Sequence, residues 1–466
     1  MRRAPWRRTD DPQERARSRA ESREVLRLAL PAFLALVAEP LFLLADSAII
    51  GHLGTPHLAG LGVASAILLT AVNVFVFLAY GTTATVARHL GAGSRTKAVA
   101  AGIDGAWLAI LLGAATAVAV AVGAEPLCAA FGASPEALGH AVTYLRVSAI
   151  GIPFMLVVLA VTGVLRGLQD TTTPLVASVF GFGLNIVLNV WFVYGLGWGI
   201  AGAAWGTVIA QFLMAAGLLA ALLREARRLH APLRPHPARV LTAARNGVPL
   251  LVRTLALRGI LVVTMWTAAS LGDVPLAAHQ IAATIWSFLV FALDAIAIAA
   301  QALTGKSLGA GDVEGARRAT NLMIRWGIVS GIVAGLALLL VMRWLPFLFT
   351  SDGDVRRVLA TALLVIALSQ PLSGYVFVID GVLIGAGDTL WLAKAMVVNL
   401  LLYLPLVLGV HALGPWLLSS EPPVRGMQHA MLWLWVAFTG FMAIRAVILG
   451  LRVQTEKWMV TGAPRR

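Results

Sequence analysis

The stretch from Leu28 to Gly54 reads LALPAFLALVAEPLFLLADSAIIGHLG, and it decides how the rest of the chain is interpreted. It is long and apolar enough to cross a bilayer, yet it contains the carboxylates Glu39 and Asp46. These two residues are about two helical turns apart, so a helix places them on one face. Ionisable groups inside membrane helices are costly and normally face a protein interior or a water-filled cavity. The stretch therefore predicts a membrane transporter whose leading coupling or substrate residue is Asp46.

The composition excludes a soluble protein. Hydrophobic residues make up 59% and charged residues 12% of the 466 residues, whereas soluble proteins are about half apolar and about a quarter charged. The formal net charge of +14 lies in short loops and at the termini, as the positive-inside rule predicts. This distribution argues against nucleic-acid binding and favours membrane lipids as partners of the arginine-rich N-terminus. The single cysteine, Cys128, excludes an intrachain disulfide and a multi-cysteine metal site.

A membrane helix needs about 20 mostly apolar residues, and twelve segments meet that requirement. They are predicted at 26–50, 62–88, 99–123, 138–163, 173–195, 199–223, 246–270, 278–305, 316–342, 356–384, 390–412 and 428–452. The chain is thus predicted to be an all-α integral membrane protein. Its loop charges place both termini on the cytoplasmic side of the cell membrane. The predicted organisation is a basic tail 1–24, an N-lobe 25–223, a linker 224–245, a C-lobe 246–453 and a tail 454–466.

The two halves of the chain are internal repeats with a constant offset. Pro31 corresponds to Pro249, and 249 − 31 = 218. The same offset relates three further features: Gly91-Ala92-Gly93 to Gly309-Ala310-Gly311, Pro153 to Pro371, and Asp170 to Asp388. With six helices in each half, the repeats share one membrane orientation. This arrangement predicts two bundles related by a pseudo-two-fold axis along the membrane normal, with substrate near their interface.

Polar residues inside the N-half segments are candidates for transport. A buried Asp46 can bind a proton or hold a cation, whereas an aspartate in a merely structural role would lie at the outer interface. Glu39 has a functional and a structural interpretation, because its neighbour Pro40 frees a helix carbonyl that needs a partner. Asn185 and Asn189 share one helix face, and like Thr207 they either line a cavity or join helices.

The C-half has a different set of charges inside its predicted segments. Arg253, Asp294 and Asp380 form a C-lobe charged cluster. Arg253 is expected to pair with Asp294 or Asp380, because unpaired charges there would be expensive. The repeat positions of the two aspartates are Val76 and Thr162. The repeat therefore does not impose these charges, which favours specialised roles over a purely structural ion pair.

Two short patterns resemble nucleotide-binding motifs of soluble enzymes but lack features that those motifs require. Residues 197–202 (GWGIAG) fit a dinucleotide glycine pattern but follow a membrane segment rather than a strand. Gly305-Lys306-Ser307 resembles the end of a phosphate loop, but position 300 is alanine where the first glycine should be. The histidines show no metal-protease spacing. No enzyme activity, metal or cofactor is expected, apart from a coupling proton or sodium ion.

Several long strings resemble the multidrug and toxic compound extrusion (MATE) family, and most closely its DinF-like branch. They are EPLFLLADSAIIGHLGT from Glu39, ARHLGAG from Ala87, LRGLQDTTTP from Leu165, GIAGAAWGT from Gly199, AAHQIA from Ala277 and DGVLIGAGDT from Asp380. The resemblance implies two six-helix lobes arranged as a V, and alternating-access export driven by a proton or sodium gradient. It also implies that Asp46 is the N-lobe coupling carboxylate, with Asn185 and Thr207 as polar neighbours. Glu39, Arg253 and Asp294 match charges that recur in the DinF-like branch.

The chain departs from the family pattern at two positions. Asn189 stands where many members have a second N-lobe aspartate, and Leu257 stands where sodium-type members have a glutamate. Asp380 still matches the carboxylate of the tenth helix. By this resemblance the C-lobe sodium site is incomplete, which favours proton coupling and leaves sodium open.

The leading hypothesis is a monomeric exporter of small amphipathic or cationic organic compounds. A lipid-linked precursor flippase of the same superfamily is the alternative, and it would need a more basic central cavity. A major-facilitator transporter is disfavoured because the loop after the second segment reads RHLGAGSRTK. A membrane enzyme is disfavoured because no nucleophile, base or metal pattern is clustered.

Overall fold

The computed structural model describes residues 12–130, 135–419 and 422–462, without the side chains of 12–21, 39, 42–44 and 55. Every regular element in these ranges is helical. The helices are α1 Pro12–Gly51, α2 Thr55–Asn73, α3 Phe77–Gly91, α4 Arg95–Val122, α5 Ala124–Ala129, α6 Pro135–Ala149, α7 Ile152–Gly167, α8 Thr172–Val190, α9 Gly199–Arg228, α10 Pro237–Ser270, α11 Asp273–Gly309, α12 Val313–Val341, α13 Leu345–Phe349, α14 Gly353–Gly385, α15 Thr389–Ser419 and α16 Pro423–Gln454. A 3₁₀ turn joins α2 to α3, and a π-helical turn at Trp191–Gly195 follows α8.

The predicted membrane segments correspond one by one to these helices. Within the described residues, ten helical stretches are long and apolar enough to span a membrane, counting α2 with α3 and α8 with its π-turn as one stretch each. Helices α6 and α7 form an eleventh, bent by 50°. Helix α1 contains the predicted first segment, 26–50, and completes the set. The predicted all-α membrane protein with twelve spanning segments is confirmed.

The connection between the halves is more helical than its prolines indicate. Of the predicted linker 224–245, only 229–236 lies outside helices, because α9 continues to Arg228 and α10 begins at Pro237. Proline suits the first position of a helix, since the N–H it lacks would have no intrahelical partner there.

The chain forms two compact units. The N-unit comprises Leu28–Val248, Gly305–Gly311 and Thr461–Arg466, and the C-unit comprises Met1–Arg27, Pro249–Thr304 and Asp312–Val460. Three helices contribute to both units, and one of them, α11, changes unit after Thr304. Helix α1 changes unit after Arg27, just before Pro31, and α10 changes unit at Pro249, the repeat partner of Pro31.

The repeat extends to the packing inside each unit. In the N-unit, a Cβ on Gly163 of α7 would lie 2.4 Å from the carbonyl oxygen of Ala79 on α3. In the C-unit, a Cβ on Gly381 of α14 would lie 2.4 Å from the carbonyl oxygen of Ala297 on α11. Both pairs obey the offset, since 381 − 163 = 218 and 297 − 79 = 218. Glycine allows two helix backbones to touch, which is how membrane helices without a hydrophobic driving force pack tightly.

One repeated crossing has different consequences in the two halves. Gly113 packs against Pro153, and its repeat partner Gly331 packs against Pro371. In the N-half the helix breaks just before the proline, between α6 and α7, whereas α14 runs through Pro371 without interruption. The break contains Gly151, a residue that costs about 1 kcal/mol in a helix interior relative to alanine. The bend sets the direction of α6, which carries a residue of the site described next.

Candidate functional site

Four buried polar side chains of the N-unit meet at one point. Asp46 of α1 accepts a hydrogen bond from the side-chain amide of Asn189 on α8. The same Asn189 Nδ2 donates to Asn185 Oδ1 at 2.9 Å, and Asn185 Nδ2 donates to Thr207 Oγ1 of α9 at 2.9 Å. The structure thus brings together four of the residues singled out in the sequence, in one chain of hydrogen bonds across three helices. We call them the Asp46 cluster.

Local sequence explains why these side chains fit. Asn185 and Asn189 are one turn apart on α8, so both face α9. A Cβ at Gly206 of α9 would lie 2.1 Å from Asn189 Oδ1, so only glycine leaves room for the amide. The π-helical turn at Trp191–Gly195 begins directly after this face. Within it the Tyr194 hydroxyl donates to the Ile49 carbonyl at 2.5 Å, which ties the turn to α1.

Tyr144 belongs to the Asp46 cluster and was not predicted from the sequence. Its hydroxyl donates to Asp46 Oδ2 at 3.4 Å, and the side chain is only 3% exposed. Tyr144 lies on α6, just before the bend that separates α6 from α7. Sequence reasoning missed it because a single tyrosine in an apolar segment has no spacing relationship to a carboxylate on another helix.

Asp46 is a buried carboxylate without a basic partner. It is 4% exposed, and in the part of the chain that the structure describes no Arg, Lys or His side chain forms an ion pair with it. Its partners are an amide and a phenol. Asn189 Oδ1, which is fully buried, accepts no hydrogen bond from the described residues. The cluster therefore combines a negative charge with an unused acceptor, an arrangement that favours binding of a proton or a small cation.

In the C-unit, the buried carboxylate of Asp380 is bonded to basic side chains, unlike that of Asp46. Arg253 of α10 donates to Asp380 of α14 with two guanidinium nitrogens, its Nε lying 3.3 Å from Oδ1. Arg445 of α16 adds a second ion pair, with Nη2 3.0 Å from Asp380 Oδ1. All three side chains are buried. Asp380 is thus one of the two partners expected for Arg253. Asp294 lies half-buried on α11.

Arg445 was missed although its signal was visible in the sequence. It lies in the apolar run AFTGFMAIRAVILGL of the last predicted segment, where a lone arginine requires a partner. A small cavity opens beside its contact with Asp380, and the remaining lining is apolar: Leu392, Ala395, Met396, Ile448 and Leu449. The Glu39 side chain lies outside the described residues, so its predicted role stays a prediction.

Comparison with protein families places both halves in one family. A family model described as MatE matches residues 31–191 and 249–408. The two matches begin at the repeated prolines Pro31 and Pro249. The family model thus recognises the internal repeat found in the sequence.

Two relatives match most of the chain. Protein DETOXIFICATION 44, chloroplastic, of Arabidopsis thaliana is 32% identical over 461 residues, which cover 95% of this chain and 85% of the relative. DNA damage-inducible protein F of Escherichia coli (strain K12) is 31% identical over 430 residues, which cover 87% of this chain and 90% of the relative. This second match confirms the resemblance to the DinF-like branch seen in the sequence.

Solved structures share the fold. A crystal structure of MATE in complex with MaL6 superimposes with a TM-score of 0.82 at 21% identity, covering 94% of this chain and 97% of that chain. A mutant of the Vibrio cholerae MATE transporter VcmN gives a TM-score of 0.82 at 20% identity, with coverages of 95% and 99%. With a family match found once in each half and relatives covering nearly the whole sequence, this chain is a member of the MATE family of membrane transporters and not an enzyme.

Proposed function

We propose that the protein is a secondary active efflux transporter, which exports small amphipathic or cationic organic compounds in exchange for protons. The observation that carries this proposal is the contrast between two buried carboxylates. Asp46 has only neutral partners, whereas Asp380 is bonded by Arg253 and Arg445. Of the two, Asp46 is the carboxylate free to exchange a proton or a cation during a transport cycle.

Asp46 is expected to exchange protons because burying its unpaired negative charge is energetically unfavourable. Burying a carboxylate without a counter-ion costs free energy, and binding a proton removes that cost because it neutralises the charge. A protonated carboxyl also becomes a donor. Asn189 contacts Asp46 through its amide nitrogen, and its Oδ1 is a buried acceptor with no donor among the described residues. Because Asn189 is an amide, the cluster supplies one full negative charge where a pair of carboxylates would supply two. This weaker field favours a proton over sodium, which stays the second candidate ion.

The cycle is alternating access between outward-open and inward-open states. A proton that reaches Asp46 from outside favours the state that has released substrate, and its loss to the inside favours substrate loading. Helices α1 and α10 absorb the change in shape at Pro31, Pro40 and Pro249, because proline weakens a helix where it occurs. Asn185, Asn189, Thr207 and Tyr144 hold the Asp46 carboxylate in register through the cycle, and Glu39 is a further candidate for proton exchange on the same helix.

The C-unit cluster has a structural and orienting role. Two guanidinium groups occupy the Asp380 carboxylate, so a cation could bind there only by displacing one of them. The arginines are engaged by this carboxylate and are not presented as a basic surface. This arrangement supports export of neutral or cationic compounds over the alternative, flipping of an anionic lipid-linked precursor.

The remaining features of the proposal follow from the charge pattern. Basic loops and termini favour a cell-membrane location with both termini cytoplasmic. Anionic lipid headgroups are the expected partners of the arginine-rich N-terminus. We further propose that the protein works as a monomer, without a cofactor and without nucleic acid.

Transport from proteoliposomes tests the proposal. A fluorescent organic cation is loaded, and efflux is followed under an imposed proton gradient and then under a sodium gradient. Wild type should respond to the proton gradient, and Asp46→Asn should abolish the response. Asp354→Asn is the matched control, because it removes a carboxylate from an exposed ion pair with Arg357.

Three other transport results would change or refute the proposal. Efflux driven only by sodium would keep the site and change the ion. Undiminished efflux in correctly folded Asp46→Asn would refute the role of Asp46. If active wild-type protein exported no organic cation, the proposed substrate class would be wrong and the flippase alternative would be tested next with a lipid-linked anionic substrate.

A further inference from the structure

A second buried carboxylate of the N-unit lies outside the Asp46 cluster. Asp104 of α4 is 3% exposed. Its Oδ1 accepts a hydrogen bond from the backbone N–H of His236 at 3.3 Å. Its Oδ2 lies 2.9 Å from Arg239 Nε, in an ion pair that is not aligned as a hydrogen bond. Both partners lie where the connection between the halves enters α10.

A third contact lies one turn further along α4. The indole N–H of Trp107 donates to the backbone carbonyl of Leu233 at 3.2 Å. Two side chains on one face of α4 therefore hold the non-helical stretch 229–236 at two points. The stretch also contains Pro232 and Pro235, whose fixed backbone angles reduce its freedom further.

The internal repeat does not require a carboxylate at the position of Asp104. The repeat position of Asp104 is Leu322, since 104 + 218 = 322. The first half is followed by a connection to another half, and it has an aspartate at this position. The second half has a leucine at the equivalent position.

We propose that Asp104 is a positioning residue that clamps the start of α10 to α4. Helix α10 belongs to the N-unit up to Val248 and to the C-unit from Pro249. Gly247 adds to the clamp, because a Cβ there would lie 2.4 Å from the Phe77 ring. With its first turns held, α10 must change shape at Pro249, ahead of Arg253, and the linker cannot absorb the motion. This inference rests on the proposed alternating-access cycle.

Hydrogen–deuterium exchange in nanodiscs tests the clamp without any substrate. Asp104→Asn should speed amide exchange in peptides covering 229–248 by about tenfold, the effect of losing a charge-assisted contact. Arg239→Gln should act in the same direction, and the double variant should add nothing to Asp104→Asn, because the residues act through one contact. Arg95→Gln is the matched control, since it removes a partly exposed ion pair between α4 and Glu225 of α9, outside residues 229–248.

Efflux of the fluorescent organic cation by the same variants tests the positioning role. We expect Asp104→Asn to slow efflux at least threefold with little change in thermal stability, because the Arg239 that it leaves unpaired is half exposed. Arg239→Gln should slow efflux as well but also lower thermal stability, because it leaves the buried Asp104 carboxylate without its cation. Arg95→Gln should leave efflux unchanged. Unchanged exchange in Asp104→Asn would refute the clamp. Faster exchange with normal efflux would refute the positioning role. Faster exchange in a protein whose wild type exports no organic cation would uphold the clamp and refute the proposed function instead.

Discussion

Asn189 donates its side-chain amide to the carboxylate of Asp46 and so joins α8 to α1 at a buried charge. The same amide nitrogen also donates to Asn185 Oδ1, so the position of Asp46 depends on both asparagines. A carboxylate held by one amide and a phenol keeps its capacity to bind a proton, because neither partner carries a compensating positive charge. This relationship orders the expected effects of substitutions around Asp46.

Substitutions in the Asp46 cluster should have graded effects on efflux. Asn189→Ala removes the direct donor to Asp46 and should reduce proton-driven efflux by about tenfold or more, the value of a charge-assisted hydrogen bond. Asn185→Ala acts through Asn189 and should reduce it by about three- to tenfold. Initial rates in proteoliposomes, corrected for the amount of inserted protein, give the comparison. Thr116→Val, which removes a hydroxyl bonded within α4, is the control. Equal losses at positions 185 and 189 would contradict the order of contacts.

Tyr144→Phe should have a small and specific effect. The substitution removes a long hydrogen bond of 3.4 Å and keeps the buried ring. We expect efflux to fall about two- to fivefold and the thermal unfolding temperature to change little, because a weak contact is lost without a cavity. Tyr144→Ala should lower both, since it also empties core volume. If Tyr144→Phe were as inactive as Asp46→Asn, the hydroxyl would have a role beyond orientation.

Asp380→Asn should destabilise the C-unit. The substitution leaves Arg253 and Arg445 buried without their shared carboxylate, and breaking a buried ion pair in this way costs about 3–5 kcal/mol. Thermal unfolding in detergent should show a large fall in the unfolding temperature. Asp354→Asn is the control, because an exposed pair contributes about 1 kcal/mol or less. Adding Arg445→Met should recover part of the loss, and a further fall in the double variant would contradict this account.

Adding a single methyl group at either of the repeated glycine crossings should lower the stability of the protein. Gly381→Ala places a Cβ 2.4 Å from the Ala297 carbonyl oxygen, and Gly163→Ala places one 2.4 Å from that of Ala79. Each should lower the free energy of unfolding by about 1–3 kcal/mol through overpacking. Gly183→Ala is the control, because no atom lies within 4 Å of its added Cβ. Thermal unfolding of the three variants tests the prediction, and equal stability would show that the backbones separate freely.

Cys128 should react slowly with maleimides in the folded protein. Burial leaves its side chain without exposure on α5 and raises the pKa of its thiol above the ordinary value. A raised pKa means less of the reactive thiolate at neutral pH. Fluorescent maleimide at pH 7 should label the native protein weakly and the denatured protein fully. Because this is the single cysteine of the chain, fast native labelling would directly contradict its burial.

The sequence by itself determined the class of protein and its architecture. Apolar length identified all twelve spanning segments, since each helix must satisfy its own backbone hydrogen bonds inside a membrane. The constant offset of 218 residues identified the repeat, because equivalent positions need the same glycines and prolines. Helical spacing put Asn185 and Asn189 on one face, and the cost of intramembrane charge singled out Asp46, Arg253 and Asp380. These conclusions depend on properties of single segments.

Only the tertiary structure decided which side chains meet. Tyr144 reaches Asp46 because α6 bends away from α7, and Arg445 reaches Asp380 because α16 packs against α14. The continuation of helix on both sides of the linker and the clamp by Asp104 also depend on contacts between distant segments. A residue's own segment shows that a buried charge needs a partner. Which residue becomes that partner depends on how the helices pack, because the energetic cost of burying the charge does not depend on which neighbour pairs with it.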